Sequence, residues 1–458
     1  MPSPAAGVPG ASATPIAAGW GGETAFAICT VCILLVPFAA AGLALINTGL
    51  GRSRSAAHAM LSSLCVLGVA ALVYFVCGFA WDGVAGGPAH VVTIGGRTWN
   101  WLAAEPFFFR GLQFSGSHEL LAVWLQLFAV GLAALIPLGG GADRWRLGAC
   151  CASTALLAGW TYPLFAHWVW GGGWLAQLGI NYGLGHGFVD AGGGSVIQVL
   201  GGMTALTMAL ILGPRRAKYT ADGMPTAIPG HNAVLLLFGC LLALVGWLGL
   251  DCAGSLLFAR VDAARVPLIG VVATLSAAAA ALTAVVITRV RFGKPDASLT
   301  ANGWIGGLVA SSAACAFVSP AEAVIIGALA GALVTFSVEL FELHLAVDDP
   351  GGAISVHAVA GIWGVLAVGL FGRFPAPGVN GAGGAAAANS GQFVAQLVGV
   401  ATLVGFVLPL TYALNWILDR VYQQRVTVEG ERQGLDLHEL GAGAYPEFVT
   451  HTEDFLPR

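Results

Sequence analysis

The sequence predicts an all-α polytopic membrane protein. Three observations carry that expectation: an apolar composition, eleven long apolar segments, and a one-sided distribution of Lys and Arg. Of 458 residues, 57% are hydrophobic and 9% charged, and the mean hydropathy is +0.81. A soluble domain carries roughly a quarter charged residues, so a water-soluble fold lacks the charges to cover this much apolar surface. A bilayer solvates that surface directly. Gly occurs 66 times, and small residues let membrane helices approach closely. The net charge of −4 comes without a basic run, and no nucleic-acid partner is expected.

A spanning helix needs about 20 mostly apolar residues. The segments at 24–48, 57–81, 117–139, 147–169, 194–213, 231–256, 266–290, 300–317, 321–343, 354–372 and 392–417 meet this, with 300–372 the hardest to divide because it is Gly-rich and closely joined. Barrel strands are excluded by the length of the runs and the absence of alternation. Lys and Arg then sort the loops. One side holds fourteen of them: Arg52, Arg54, Arg144, Arg146, Arg215, Arg216, Lys218, Arg289, Arg291, Lys294, Arg420, Arg425, Arg432 and Arg458. The other holds five: Arg97, Arg110, Arg260, Arg265 and Arg373. By the positive-inside rule the N-terminus is outside and the C-terminus in the cytoplasm, with an odd number of spans in the cell (inner) membrane.

The chain divides into a flexible extracytoplasmic tail (1–23), a transmembrane domain (24–417) and a cytoplasmic tail (418–458). The first of these is Ala/Pro/Gly-rich and lacks the basic start of a secretion signal. Cys29 and Cys32 lie in an apolar run without His or acidic neighbours and read as small helix residues. No phosphate-binding loop, metal-ligand spacing or nucleophile motif occurs, so neither a cofactor nor an enzyme activity is expected. His118, Glu119 and His186 fall in outer loops or at helix ends and are assigned no chemistry.

Two stretches repeat at an offset of 159 residues: Asp190-Ala-Gly-Gly-Gly-Ser-Val-Ile-Gln198 and Asp349-Pro-Gly-Gly-Ala-Ile-Ser-Val-His357, followed by Gly202 and Gly361. They open the fifth and tenth segments, which run in opposite directions, giving the five-plus-five inverted repeat of many transporters plus a C-terminal helix. Eight residues of helix rise about 12 Å, nearly half of a hydrocarbon core of about 30 Å. Gln198 and His357 therefore enter from opposite faces and meet near the midplane, where polar groups line a cavity or pair. The Asp residues sit where free N–H groups need acceptors. For Asp349 a plain cap is as good a reading as a site role; Asp190 fits both.

These residues also carry a resemblance. The chain is identified as a member of the ammonium transporter/methylammonium permease/Rhesus family on Val347-Asp-Asp-Pro-Gly-Gly-Ala-Ile-Ser-Val-His-Ala-Val-Ala-Gly-Ile-Trp-Gly364 and Cys315-Ala-Phe-Val-Ser-Pro320 with Ala323-Val-Ile-Ile-Gly-Ala328. Ala166-His-Trp-Val-Trp-Gly-Gly-Gly173, Gly230-His-Asn232, Gly246-Trp-Leu-Gly249, and the tail motifs Gly434-Leu-Asp-Leu-His-Glu-Leu-Gly441 and Ala444-Tyr-Pro-Glu-Phe448 agree in order and spacing. The match runs from about Thr24 to Phe448.

The resemblance implies a homotrimer in the bilayer with one narrow pore per subunit, conducting ammonium or ammonia and accepting methylammonium. It further implies a PII-type signal protein as a cytoplasmic partner. Trp170 matches the aromatic that holds ammonium at the outer vestibule, Ser255 the accompanying hydroxyl, Asp190 the buried carboxylate shaping that site, and Trp247 another pore-facing aromatic. His357 matches the second of two midpore His residues, and Gln198 stands in place of the first. Gln hydrogen-bonds but carries no proton near neutral pH, so a two-His relay is lost. Of two stacked gate Phe residues, one is Leu250 here and the other matches Phe128, within a residue. Asp251 replaces the usual Asn, with one extra residue before Ser255; it reads equally as a cation attractor or a local hydrogen-bond acceptor. Alternatives to transport are an ammonium sensor with little flux and a conduit for another small molecule such as carbon dioxide.

Overall fold

The computed structural model describes residues 22–114, 116–374 and 391–445. The expected outer tail up to residue 21 and the last three residues of the tail motif, 446–448, lie outside the described residues. The helices, in chain order, are α1 (Glu23–Leu50), α2 (Ser53–Asp82), α3 (His118–Gly141), α4 (Leu147–Val169), α5 (Gly194–Leu212), α6 (Ala233–Leu257), α7 (Ala263–Phe292), α8 (Ala297–Ser312), α9 (Pro320–His344), α10 (Ile354–Phe371) and α11 (Gln392–Val421). Ten of these are long and apolar enough to cross a membrane. The other, α8, has 16 residues, a rise of about 24 Å. The expected segment 300–317 thus ends early: residues 313–317 form turns before the Ser319 capping box and Pro320 start α9.

The packing follows the repeat. Within the first half α2 packs on α3 and α4, and α3 on α5; within the second α7 packs on α8 and α9, and α8 on α10. The equivalent pairs α1–α6 and α5–α10 join the halves. By this correspondence α8 occupies the place of α3 despite its length. The α1–α6 seam is built from small residues: a Cβ on Gly246 would lie 1.9 Å from the Ala39 nitrogen, so the backbones touch there. Large apolar side chains such as Leu64, Leu72, Leu241, Leu282 and Val290 are exposed on the outer faces, as a lipid-facing surface requires.

A two-stranded antiparallel hairpin, β1 (Ala89–Ile94) and β2 (Arg97–Ala103), follows α2. Its turn, Gly95-Gly96, has φ of 60° and 76°, positive values that two-residue hairpins demand. The hairpin is pinned to α4: Trp168 Nε1 donates to the Trp101 carbonyl at 2.8 Å, and His167 Nε2 lies 2.8 Å from Asn100 Oδ1.

At the tail-bearing face, Arg215 clasps Asp348 through Nε at 2.9 Å and Nη2 at 3.0 Å and reaches Asp143 at 3.1 Å. Burial alone would raise the Asp348 carboxyl, but the Arg215 and Arg144 guanidiniums hold it below its ordinary value. Arg144 is fully buried and lowered by that burial to about 10, bonding the carbonyls of Gly213 and Asp348.

Candidate functional site

The two repeat stretches cross at the centre of the molecule. Each begins with a Gly in the left-handed region, Gly193 at φ 89° and Gly352 at φ 65°, which lets the chain turn sharply into a helix. Each then runs as a six-residue π-helical segment, Gly194–Val199 and Ile354–Val359; such widened turns recur at functional sites. The Gly192 N–H donates to the Ser312 carbonyl at 2.9 Å, and Gly351 N–H to the Gly139 carbonyl at 3.1 Å, so both loops hang from equivalent helices. The crossing itself is reciprocal. A Cβ on Gly202 would sit 2.3 Å from the Ala358 nitrogen, and one on Gly361 would sit 2.6 Å from Val199 Cγ2. Ala358 and Val199 are themselves 159 residues apart.

This close crossing brings His357 and Gln198 together: His357 Nδ1 lies 2.8 Å from Gln198 Oε1, with both side chains buried. With the amide oxygen as acceptor, the imidazole proton is on Nδ1. Two groups then remain uncommitted. His357 Nε2 presents a lone pair, and Gln198 Nε2 has no hydrogen-bond partner among the described residues. The pair thus keeps one free acceptor and one free donor among the described residues, the two functions that ammonia or water needs.

The Asp residues act differently in the two copies. Asp190 accepts five hydrogen bonds, from the N–H groups of Gly193, Gly194, Ser195 and Val196 and from the Ser195 hydroxyl, at 2.6–3.1 Å. It is a fully engaged cap that fixes the start of α5. Asp349 accepts from Ile354 N–H at 2.7 Å, while its Oδ1 makes no close hydrogen bond among the described residues.

At the mouth, Trp170 donates its indole N–H to the Asp190 carbonyl at 2.8 Å. Its ring face is covered by Phe258, with centroids 4.2 Å apart and planes 13° from parallel. A small pocket here is lined by Val84, His118, Ala122, Trp170, Leu257, Phe258 and Arg260. His118, Phe258 and Arg260 were not expected as site residues. Phe258 stands one helical turn after Ser255, which was the available signal.

Ser255, expected beside Trp170, does not line this pocket. It is fully buried, and its hydroxyl lies 3.2 Å from Cys315 Sγ. Ser255 stands one turn before Phe258 with its hydroxyl on Cys315, and it is Phe258, at the end of the helix, that meets the Trp170 ring. Trp247 is fully buried and donates to the Ser312 hydroxyl at 3.1 Å. Leu250 is buried beside it in the core, and Phe128 is half-buried against Trp124, with ring centroids 6.3 Å apart. The placement of Asp251 goes against the first of its two expectations, since it has no exposure with which to attract cations from solvent. Neither carboxylate oxygen makes a close hydrogen bond among the described residues, and the Ser312 hydroxyl nearby leaves it the second, a local acceptor. It presses on the Asp190 loop, where a Cβ on Gly192 would meet its Oδ1 at 2.3 Å.

An inverted pair of helical bundles with a polar couple at the crossing defines a multi-pass membrane protein of the transporter or channel class. The particular family follows from comparison: the Ammonium Transporter Family model matches residues 27–445, and the chain belongs to that family. It is 37% identical over 442 residues to the ammonium transporter Amt2 of Archaeoglobus fulgidus, covering 93% of this chain and 89% of that one. It is 31% identical over 429 residues to the ammonium transporter of Bacillus subtilis, covering 93% and 99%. Among solved structures, one described as a sensor Amt protein shares 27% identity at a TM-score of 0.79, covering 91% of this chain and 98% of that one. Mep2 from Candida albicans shares the fold at a TM-score of 0.75 and 23% identity, covering 93% and 92%.

Proposed function

We propose that this chain moves ammonium across a cell (inner) membrane as a homotrimer without enzymatic activity, recruiting the cation at Trp170 and passing ammonia by Gln198 and His357. The observation that carries this is the 2.8 Å contact between His357 Nδ1 and Gln198 Oε1 at the crossing of the two repeats. Ammonia donates to His357 Nε2 and accepts from Gln198 Nε2. Gln198 takes no proton, so His357 is the one member of the pair that titrates.

Residues 24–417 form the conducting domain, with the N-terminus outside and the tail from 418 in the cytoplasm, where a PII-type protein is the partner expected. The bilayer faces the exposed apolar side chains. Trp247, Leu250 and Phe128 shape the upper pore wall, Asp251 and Asp190 its acidic flank, and Ser255 supports it from behind. Methylammonium uptake by the chain in a transport-deficient host is the direct test; no uptake by well-expressed trimer rejects it. In proteoliposomes Gln198→His is expected to gain ammonium current by restoring two titratable rings, and equal currents reject the role given to Gln198. Ammonium binding without flux would instead support a sensor, the function named for the sensor Amt protein.

A further inference from the structure

A cavity of about 750 Å3 opens on the tail-bearing face, lined by Arg52, Arg54, Arg216, Arg432, Ala217, Thr226, Ala227, Ile228, Pro229 and Glu431. The four arginines come from three separate parts of the chain: the α1–α2 turn with the first turn of α2, the loop between α5 and α6, and the tail after α11. Positive-inside sorting accounts for arginines on this face, but it gives no reason for them to converge on one concavity. Like charges brought together repel each other.

The acids nearby do not neutralise them. Among the described residues Glu431 is the one acid lining the cavity, and it is spent: Oε2 takes Arg425 Nη2 at 2.8 Å and Oε1 takes the Arg216 N–H at 2.6 Å. Arg52 leans toward Asp143, 3.6 Å away. Arg54, Arg216 and Arg432 enter no ion pair among the described residues, although Arg144, Arg215, Lys218, Arg291 and Arg425 on the same face each have a carboxylate within 4.0 Å.

The cavity is also held in shape. Gly434 of the tail, at φ 98°, is packed so tightly on Arg54 that a Cβ there would lie 2.6 Å from the Arg54 Cβ. Ala217 keeps a left-handed φ of 60° at the lip, a conformation that costs energy for any residue with a Cβ.

We propose that this cavity binds a phosphate-bearing anion, with Arg54, Arg216 and Arg432 as its forks and Ala227, Ile228 and Pro229 as an apolar wall. A guanidinium offers two parallel donors that match a phosphate edge, and the volume is that of a small-molecule site. Because the tail supplies Arg432 and buttresses Arg54, the bound anion ties the tail to the membrane domain. The phosphate belongs either to a soluble phosphorylated molecule or to an anionic lipid headgroup. The site does not rest on the transport reading, and its test uses no ammonium.

The experiment titrates inorganic pyrophosphate into the full chain in phosphatidylcholine nanodiscs at low salt. In parallel, retention of phosphatidylglycerol over phosphatidylcholine is measured by native mass spectrometry. Arg54→Gln/Arg216→Gln/Arg432→Gln is compared with the native chain, and Arg432→Gln alone serves if the triple variant does not fold. Pyrophosphate binding weakened tenfold or more by the substitutions supports a soluble ligand. Selective phosphatidylglycerol retention lost in the variants supports a lipid headgroup. Neither probe binding the native chain, or both binding the variants equally, overturns the proposal.

Discussion

Gln198 and His357 were placed together by nothing more than equal spacing from two repeated Asp residues, and the 2.8 Å contact between them shows why that worked. The eight residues are not a regular α-helix, since a bend at Gly193 or Gly352 leads into a π-helical turn; equal counts worked because both copies bend and widen in the same way. Lateral position was less legible. Ser255 and Phe258 are three residues apart on one face at the end of α6, and no count along the sequence tells which of them meets Trp170. Asp251 is a residue whose identity was clear and whose surroundings were not. Its carboxylate is fully buried, makes no close hydrogen bond among the described residues and has the Ser312 hydroxyl nearby, and a buried acid so thinly compensated is destabilising. Asp251→Asn, which keeps the shape and removes the charge, is expected to stabilise the protein by about 1 kcal/mol or more. Thermal unfolding of both forms in one detergent at neutral pH checks this; an unchanged or lower midpoint shows that the carboxylate is compensated.

At the scale of elements, the long apolar runs made ten helices readable to within a few residues at most of their ends, because a span must be continuous to satisfy its own backbone. The segment at 300–317 was over-extended since Ala, Cys and Phe keep residues 313–317 apolar after the helix has ended at Ser312. The hairpin after α2 was missed, although Gly95-Gly96 between β-branched and aromatic residues was a turn signal. Its strands are short and mostly exposed, and they disappear in a chain read for hydropathy. Where elements meet, the fold depends on absent side chains. Gly246→Val on the α1–α6 seam would force apart backbones that leave no room for a Cβ. Overpacking of this kind costs about 1–3 kcal/mol or more. The expected result is a lower unfolding midpoint, whereas Gly68→Val, where a Cβ meets nothing within 4 Å, leaves it unchanged.

Across the whole molecule, the tail is bound by its carboxylates to the starts of helices far away in sequence. Asp436 accepts from the N–H groups of Ala57 and His58 at 3.2 and 2.7 Å, and Glu439 accepts from Leu147 N–H at 2.8 Å while pairing with His58 Nε2 at 2.8 Å. The family motif announced the tail but not this function, because capping partners lie nearly three hundred residues or more upstream. Burial would raise the Glu439 carboxyl, but the His58 hydrogen bond and the Leu147 N–H hold it below its ordinary value. A depressed folded-state value means that this stabilisation is present above the ordinary glutamate range and is lost as pH falls through the depressed value. Protease cleavage between 422 and 445 is therefore expected to be slow at neutral pH and to rise in acid below about pH 4. Glu439→Gln should remove most of that pH dependence; equal acid sensitivity in both forms would show that another group controls docking.

The outer end of the same molecule has a different character, because the Trp170 face is already taken by Phe258. On the proposed recruitment at Trp170, a cation that takes this face of the indole exchanges with the benzene ring stacked on it. The affinity read from outside is then the affinity for the bare indole reduced by the fraction of time that it is bare. On that reading the stacked ring also sets the concentration at which the site begins to fill.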